Sequence, residues 1–151
     1  MQNQVEILLV EDNPYDAELT IRALRQNNLL NHIEHVVDGE EALEFIYAKG
    51  KYKGNAGNQP PKVILLDIKL PKINGLEVLK TLKSDSGLKH IPVVMLTSSA
   101  QEKDIIESYN LGVNSYIVKP VEFEKLVEAI KELGYYWLIL NQPYPGYSGK
   151  P

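Results

Sequence analysis

The sequence predicts an α/β fold in which a doubly wound parallel sheet of five strands has the order 2-1-3-4-5. Short apolar segments alternate with segments of helical periodicity along the 151 residues, as in a parallel sheet with crossover helices. Several of these short segments are apolar throughout, which is typical of strands buried on both faces. Right-handed crossovers with a chain reversal after the first strand give the order 2-1-3-4-5.

The first part of the chain supplies two strands and two helices. The first strand is predicted over 5–10, and Asn13-Pro14 then starts a helix, because Asn is a good N-cap and Pro suits the first helical position. The second strand, over 33–37, is short and more polar, which favours a place near a sheet edge. Asp38 is predicted to cap the next helix, with Glu41 completing a capping box.

The rest of the chain continues this alternation. Residues 49–61 are rich in Gly, Lys, Asn and Pro and predict a surface loop, which a tolerated insertion would explain. We expect one domain over 1–140 and a tail over 141–151. The later strands are predicted at 63–66, 92–96 and 115–118, and the later helices at 73–82, 101–111 and 122–140.

The composition excludes several classes of function. The net charge of -4 gives no electrostatic reason to expect nucleic-acid binding. The chain has no Cys, so disulfides, thiolate zinc sites and cysteine nucleophiles are excluded. The N-terminus lacks a signal-peptide pattern, and no apolar run approaches the roughly 20 residues that span a bilayer. We therefore expect a cytoplasmic protein with no membrane partner.

Polar side chains that can bind a ligand or react follow four of the apolar segments. Glu11-Asp12 follow the first segment, Asp67 the third, Thr97 the fourth and Lys119 the fifth. Because ligands bind at the carboxyl ends of the strands in an open parallel sheet, these side chains would share one crevice. The alternative for each residue taken alone is ordinary: solvated loop acids, a hydroxyl that caps a turn and a surface lysine.

Three carboxylates in one crevice would repel one another unless a cation neutralised them. Mg²⁺ suits such hard oxygen ligands, and the absence of Cys and of a nearby His argues against zinc or copper. A carboxylate such as Asp67 can also act as a nucleophile and form an aspartyl phosphate. The cation, the Thr97 hydroxyl and the Lys119 ammonium could each cover one phosphoryl oxygen. An X-Pro bond at 119–120 is also a candidate for the cis form.

At this point the chain resembles the receiver domain of two-component response regulators, over roughly 5–133. The resemblance rests on four blocks in order, which are Leu9 to Asn13, Leu65 to Pro71 with Asn74-Gly75 after it, Leu96 to Ser98, and Tyr116 to Pro120. It implies a flavodoxin-like fold and a signalling module rather than an enzyme.

The resemblance also implies roles for single residues. Asp67 would accept a phosphoryl group from a histidine kinase. Asp12 would bind Mg²⁺ directly, Glu11 mostly through water, and the Lys69 backbone carbonyl would be a further ligand. Thr97 and Lys119 would contact the phosphoryl group. Thr97 and Tyr116 would then move together and change the face formed by the fourth helix, the fifth strand and the last helix.

A narrower resemblance is to small stand-alone receivers paired with phytochrome-type histidine kinases. It rests on Glu11 to Asp16, on the long loop before Pro60-Pro61 and on the apolar run Tyr135 to Leu140. This run is apolar on all sides, so a single domain cannot easily cover it, and a homodimer through the last helix is expected. The alternative is that the run folds back onto its own sheet. We expect no output domain after the receiver, so the signal would pass by protein contact or phosphorelay.

Two other functions are compatible with parts of this pattern. A haloacid-dehalogenase-like phosphohydrolase also uses an aspartyl nucleophile with Mg²⁺, but it needs a second acid two residues later, where this chain has Lys69. A flavin-binding electron carrier shares the strand order, but it needs a phosphate-binding loop after the first strand. Glu11-Asp12 would repel phosphate at that position.

Overall fold

The computed structural model describes residues 7–26, 32–55, 60–98, 107, 110–113 and 115–132. Within these ranges the chain forms a five-stranded parallel sheet in the order β2-β1-β3-β4-β5, which confirms the predicted fold class. The strands are β1 (Ile7–Val10), β2 (Ile33–Val36), β3 (Val63–Asp67), β4 (Val93–Thr97) and β5 (Ser115–Val118). The helices are α1 (Pro14–Arg25), α2 (Gly39–Tyr47), α3 (Gly75–Ser84) and α4 (Phe123–Glu132).

The three central strands are buried at every position, as their apolar sequences predict. Alternate residues of each strand point into two separate cores. One core lies between the sheet and helices α1 and α4, and the other lies between the sheet and helices α2 and α3. The sheet is therefore covered on both faces, and ligands can reach it only at its edges.

Local side-chain caps fix the starts of three helices. Asn13, Asp38 and Asn74 each accept a hydrogen bond from the backbone N–H three residues later. The caps predicted at Asn13 and Asp38 are confirmed. The capping box differs in one detail, because Oε1 of Glu41 accepts from the backbone N–H of Val37 rather than from that of Asp38.

The prediction of a simple surface loop over 49–61 is wrong for its first half. Residues Gly50–Asn55 form a 3-10 helix, and Tyr52 within it is only 8% exposed. The Tyr52 ring packs edge-on against Phe45 of α2 at 5.1 Å between centroids, and its hydroxyl donates to Oε2 of Glu41 at 2.8 Å. The segment therefore closes over α2, and Tyr52 adds apolar area to the core on that side.

Two glycines allow helices α2 and α3 to approach the site closely. A Cβ atom on Gly75 would overlap the backbone carbonyl oxygen of Asp67, and one on Gly39 would overlap that of Ile73. Only glycine fits where two backbones come this near. The start of α3 is thus held directly against the end of β3, and the start of α2 against the segment that leads into α3.

Several predicted segments lie outside the described residues. They are the first two residues of the first predicted strand, most of the helix predicted over 101–111, and everything after residue 132, which includes Tyr135 to Leu140 and the tail. Gly112, placed to end the 101–111 helix, has a φ of 95°, a conformation that favours glycine. Among the described helices, none combines the length and the apolar character that crossing a membrane requires.

Candidate functional site

The register of the sheet brings the predicted polar residues to one edge. Val10 pairs with Leu66 in β3, one residue before Asp67. Asp67 in turn pairs with a β4 residue next to Thr97, and Thr97 pairs with the residue before Lys119. Asp67 and Thr97 are the last residues of their strands rather than the first residues after them. The carboxyl ends of β1, β3, β4 and β5 therefore meet as expected.

An acidic group lies at this edge. Glu11, Asp12 and Asp67 each offer a carboxylate oxygen, and these oxygens lie within 4.8 Å of one another. Glu11 and Asp67 are buried, and Asp12 is exposed. Three hard oxygen donors, one of them open to solvent, fit a divalent cation that keeps part of its water shell.

Lys119 neutralises part of this acidic group. Its Nζ atom lies 2.8 Å from Oε1 of Glu11 and 3.1 Å from Oδ2 of Asp67. Burial alone would lower the pKa of Lys119, but the contact with Glu11 and the charges of Asp67 and Glu11 raise it above its usual value. The ammonium is therefore positively charged at all physiological pH values, and it lies beside the carboxylate expected to react.

Glu11 is the most perturbed acid of the site. Its side chain is fully buried, and burial raises its pKa to about 7, while the ion pair with Lys119 acts in the opposite direction. Its Oε1 atom lies 2.8 Å from Nζ of Lys119 in an ion pair, and no hydrogen-bond donor for it is found among the described residues. This buried oxygen is already paired by charge with Lys119, so a metal ion that bound it would share or replace that ion pair.

The backbone at Glu11 is held on both sides by β2. Its N–H donates to the carbonyl oxygen of Val36 at 3.0 Å, and its own carbonyl oxygen lies 2.8 Å from Nε2 of His35. The interpretation that no histidine lies near the site is therefore wrong. His35 nevertheless does not join the acidic group, because its Nε2 atom is engaged with a backbone carbonyl.

The remaining predicted residues lie on β4, on β5 and on the segments that follow β3 and β5. Thr97 is buried, and its carbonyl oxygen accepts from the backbone N–H of Lys119 at 2.7 Å. Lys69 is exposed, and its backbone N–H lies 3.4 Å from Oδ1 of Asp67. Tyr116 is half-buried and packs against the core on the α2 and α3 side. The Lys119–Pro120 peptide bond is cis, as the sequence suggested.

An open hollow lies beside the acidic group. It is lined by Asp12 on one side and by the β3–α3 segment, including Lys69, on the other. The hollow gives solvent access to the exposed carboxylate of the group, so a small donor molecule or a partner side chain can approach from this direction.

One residue of the site was missed by the sequence analysis. Oδ2 of Asp16 lies 3.1 Å from Nζ of Lys119, at the same distance as Oδ2 of Asp67. The positive N-terminal end of the α1 dipole is enough to explain an acid at position 16. A second role for Asp16 is therefore not evident from the sequence. The place of Asp16 in the first turn of α1 was the available signal, because that turn starts at the same edge of the sheet.

Comparisons with known proteins agree with this geometry. The sequence profile of the family described as "Response regulator receiver domain" matches residues 7–131. "Probable methanogenesis regulatory protein FilR2" of Methanothrix harundinacea is 40% identical over 136 residues, which cover 90% of this chain and 85% of that protein.

Two solved structures are also similar. The bacteriophytochrome response regulator AtBRR is 51% identical, with a TM-score of 0.83, over 93% of this chain and 100% of its own. The Mn²⁺-bound form of response regulator Rcp1 is 37% identical, with a TM-score of 0.72, over 91% of this chain and 96% of its own. The fold, the site and these similarities agree, and the chain belongs to the response regulator receiver domain family of two-component systems.

Proposed function

We propose that this protein is a response regulator whose Asp67 accepts a phosphoryl group from a histidine kinase. The observation that carries the proposal is the setting of Asp67, which is buried at a strand end with an ammonium at 3.1 Å and two further carboxylates beside it. A carboxylate placed in this way can take a phosphoryl group, since the transfer needs mainly positioning and charge neutralisation.

In the proposed step, a carboxylate oxygen of Asp67 attacks the phosphorus atom of a phosphohistidine. The new O–P bond forms as the P–N bond breaks, and the histidine leaves with the electron pair of that bond and takes up a proton. Lys119 stays protonated throughout, so it can hold a negative oxygen of the phosphoryl group. The Thr97 hydroxyl would donate a hydrogen bond to a second phosphoryl oxygen.

Mg²⁺ is the proposed cofactor, and Asp12, Asp67 and Glu11 would hold it together with the Lys69 backbone carbonyl. When bound, it would neutralise charge on the transferring phosphoryl group. The close approach of the three carboxylates, within 4.8 Å of one another, and the exposed position of Asp12 support this assignment. The structure of Rcp1 with Mn²⁺, an ion of similar ligand preference, supports it as well.

The consequence of phosphorylation is proposed to lie at β5. Thr97 and Lys119 would draw toward the phosphoryl group, and Tyr116 would turn toward the space that Thr97 leaves. The half-buried position of Tyr116 beside a buried core supports this coupling. In this proposal the protein acts as a switch. Apart from losing its own phosphoryl group, it would catalyse no reaction.

The partner is proposed to be a phytochrome-type histidine kinase, and the supporting observation is the 51% identity with the bacteriophytochrome response regulator AtBRR.

We also propose a homodimer through the last helix, which rests on the apolar run Tyr135 to Leu140. Sedimentation of the full chain with and without phosphorylation tests the dimer, and a monomer at high concentration in both states would refute it.

The proposed function is tested by incubating the protein with Mg²⁺ and acetyl phosphate and measuring its intact mass. We expect an adduct of about 80 Da, one phosphoryl group, that is absent in Asp67→Asn. Asp85→Asn, at a half-buried aspartate that follows α3 outside the site, is the matched control and should keep the adduct. An adduct that survives in Asp67→Asn would refute Asp67 as the acceptor. Rapid release of phosphate without any adduct would favour the alternative function, a phosphohydrolase.

A further inference from the structure

Asp16 contacts the ammonium that the proposed phosphoryl group needs. Its Oδ2 atom lies 3.1 Å from Nζ of Lys119 in a hydrogen bond, and its side chain is 29% exposed. Asp16 is 103 residues from Lys119 in sequence, so the contact depends on the tertiary position of α1 rather than on local chain geometry. Neither the acidic group nor the proposed phosphoryl chemistry uses this carboxylate.

The ammonium of Lys119 has three N–H bonds and three carboxylate neighbours, which are Glu11, Asp16 and Asp67. A phosphoryl group on Asp67 would add oxygen acceptors that also need this ammonium. A cation at the acidic group would engage the oxygens of Glu11 and Asp67. Such a cation would not engage Asp16. The Asp16 carboxylate would therefore still hold Lys119 when the phosphoryl group arrives.

We propose that Asp16 competes with the phosphoryl group for Lys119 and so limits how tightly the site holds an anion on Asp67. This inference rests on the proposed function. Asp16 acts through Lys119 and is therefore a positioning residue. Its negative charge also repels the bound anion, so both effects act in the same direction. Receivers with an uncharged residue at this place would retain a phosphoryl analogue more strongly.

The substitution Asp16→Asn removes the charge with little cost to the fold. The capping bond of α1 runs from the Asp16 backbone N–H to Asn13, and Thr20 donates to the Asp16 backbone carbonyl. Asparagine keeps both of these backbone contacts. A melting curve of the metal-free protein checks that the variant is folded before binding is measured.

The test measures the affinity of the full chain for beryllofluoride, an anionic analogue of the phosphoryl group, by calorimetry at saturating Mg²⁺. We expect Asp16→Asn to bind it about threefold to tenfold more tightly than the parent chain, as for loss of one partly exposed charge. The gain should shrink at high ionic strength. Asp16→Glu retains the charge and should stay near the parent value.

Glu18→Gln is the matched control, because Glu18 lies on the same helix and pairs with Arg22 in solvent. It makes the same change in net charge away from Lys119, so its affinity should equal that of the parent. Equal or weaker beryllofluoride binding in Asp16→Asn would overturn the inference. If the parent chain binds no beryllofluoride and forms no adduct with acetyl phosphate, the proposed function itself fails.

Discussion

The Nζ atom of Lys119 lies 3.1 Å from Oδ2 of Asp67, so the carboxylate expected to react already faces a fixed positive charge. The same ammonium lies 2.8 Å from Oε1 of the fully buried Glu11. Two buried acids thus depend on one base for their neutralisation. The stability of the metal-free protein and its affinity for cations must therefore be linked through Lys119.

Removing this base should make the protein depend on a cation. Lys119→Met leaves Glu11 and Asp67 without their counter-charge and should lower the free energy of unfolding by about 2 to 4 kcal/mol in the absence of metal. Saturating Mg²⁺ should then raise the melting temperature more in this variant than in the parent. Urea denaturation and thermal melts with EDTA or Mg²⁺ measure both effects.

The control for this prediction is Lys80→Met, which removes an exposed lysine from α3. It should leave both the metal-free stability and the response to Mg²⁺ close to the parent values. A Lys119→Met protein whose melting temperature responds to Mg²⁺ no more than the parent would contradict the linkage.

The metal-free protein should lose stability as the pH rises through the range where Glu11 titrates. Burial raises the pKa of Glu11 from 4.5 to about 7, so between these values the folded state holds a proton that the unfolded state has lost. The contribution of Glu11 to the free energy of unfolding is therefore most favourable at low pH. It falls by about 1 to 3 kcal/mol as the pH rises toward 7.

Urea denaturation in EDTA at several pH values measures this effect. Glu11→Gln carries no titrating group at this position, so the difference between parent and variant isolates Glu11 from the other acids. With a raised pKa, the difference in free energy of unfolding between parent and variant should change between about pH 5 and 7.5. A constant difference over this range would show that the pKa of Glu11 is not raised.

His35 should support cation binding through the backbone of Glu11. His35→Phe removes the N–H group that donates to the Glu11 carbonyl oxygen. We expect Mg²⁺ binding to weaken about tenfold, as it does when other hydrogen bonds to metal-binding residues are lost. His35→Gln keeps a donor and should restore most of the affinity. Calorimetric titration with Mg²⁺ provides the readout.

His32→Phe makes the same replacement at the other end of β2 and should leave the Mg²⁺ affinity unchanged. If the two phenylalanine variants lose affinity equally, the effect belongs to the strand as a whole and not to the contact with Glu11.

The close approach at Gly75 should make this position intolerant of a side chain. Gly75→Ala places a methyl group on the Asp67 carbonyl oxygen and should cost about 1 to 3 kcal/mol in the free energy of unfolding. Gly54→Ala adds the same methyl group in open space and should change it by less than about 0.5 kcal/mol. Chemical denaturation compares the two, and equal losses would contradict the packing at Gly75.

Local chemistry and topology made much of this molecule predictable. Asn13 and Asp38 cap their helices through contacts that span three residues, so the sequence alone contains both partners. The meeting of Asp67 with Lys119 needed one further step, the strand order, which follows from general rules of handedness. These parts of the prediction rest on short segments or on the sheet as a whole.

The missed features depend on how helices and loops dock. Tyr52 was placed in a loop because Gly, Lys and Asn surround it, yet packing against Phe45 and a bond to Glu41 bury it. His35 lies on a polar edge strand whose sequence gives no sign of a partner. The contact of Asp16 with Lys119 depends on the exact position of α1, which periodicity does not determine.

The glycine contacts divide the site into a rigid side and a compliant side. At Gly39 and Gly75 main chain rests on main chain, so no side-chain rotamer is available there to absorb a displacement of Asp67. On the opposite side Asp67 contacts the side chain of Lys119, which can rotate, and the strand ends that carry Thr97 and Lys119 follow one another in the sheet. A disturbance that begins at Asp67 should therefore leave the positions of α2 and α3 nearly unchanged and travel toward β4 and β5, where a partner could detect it.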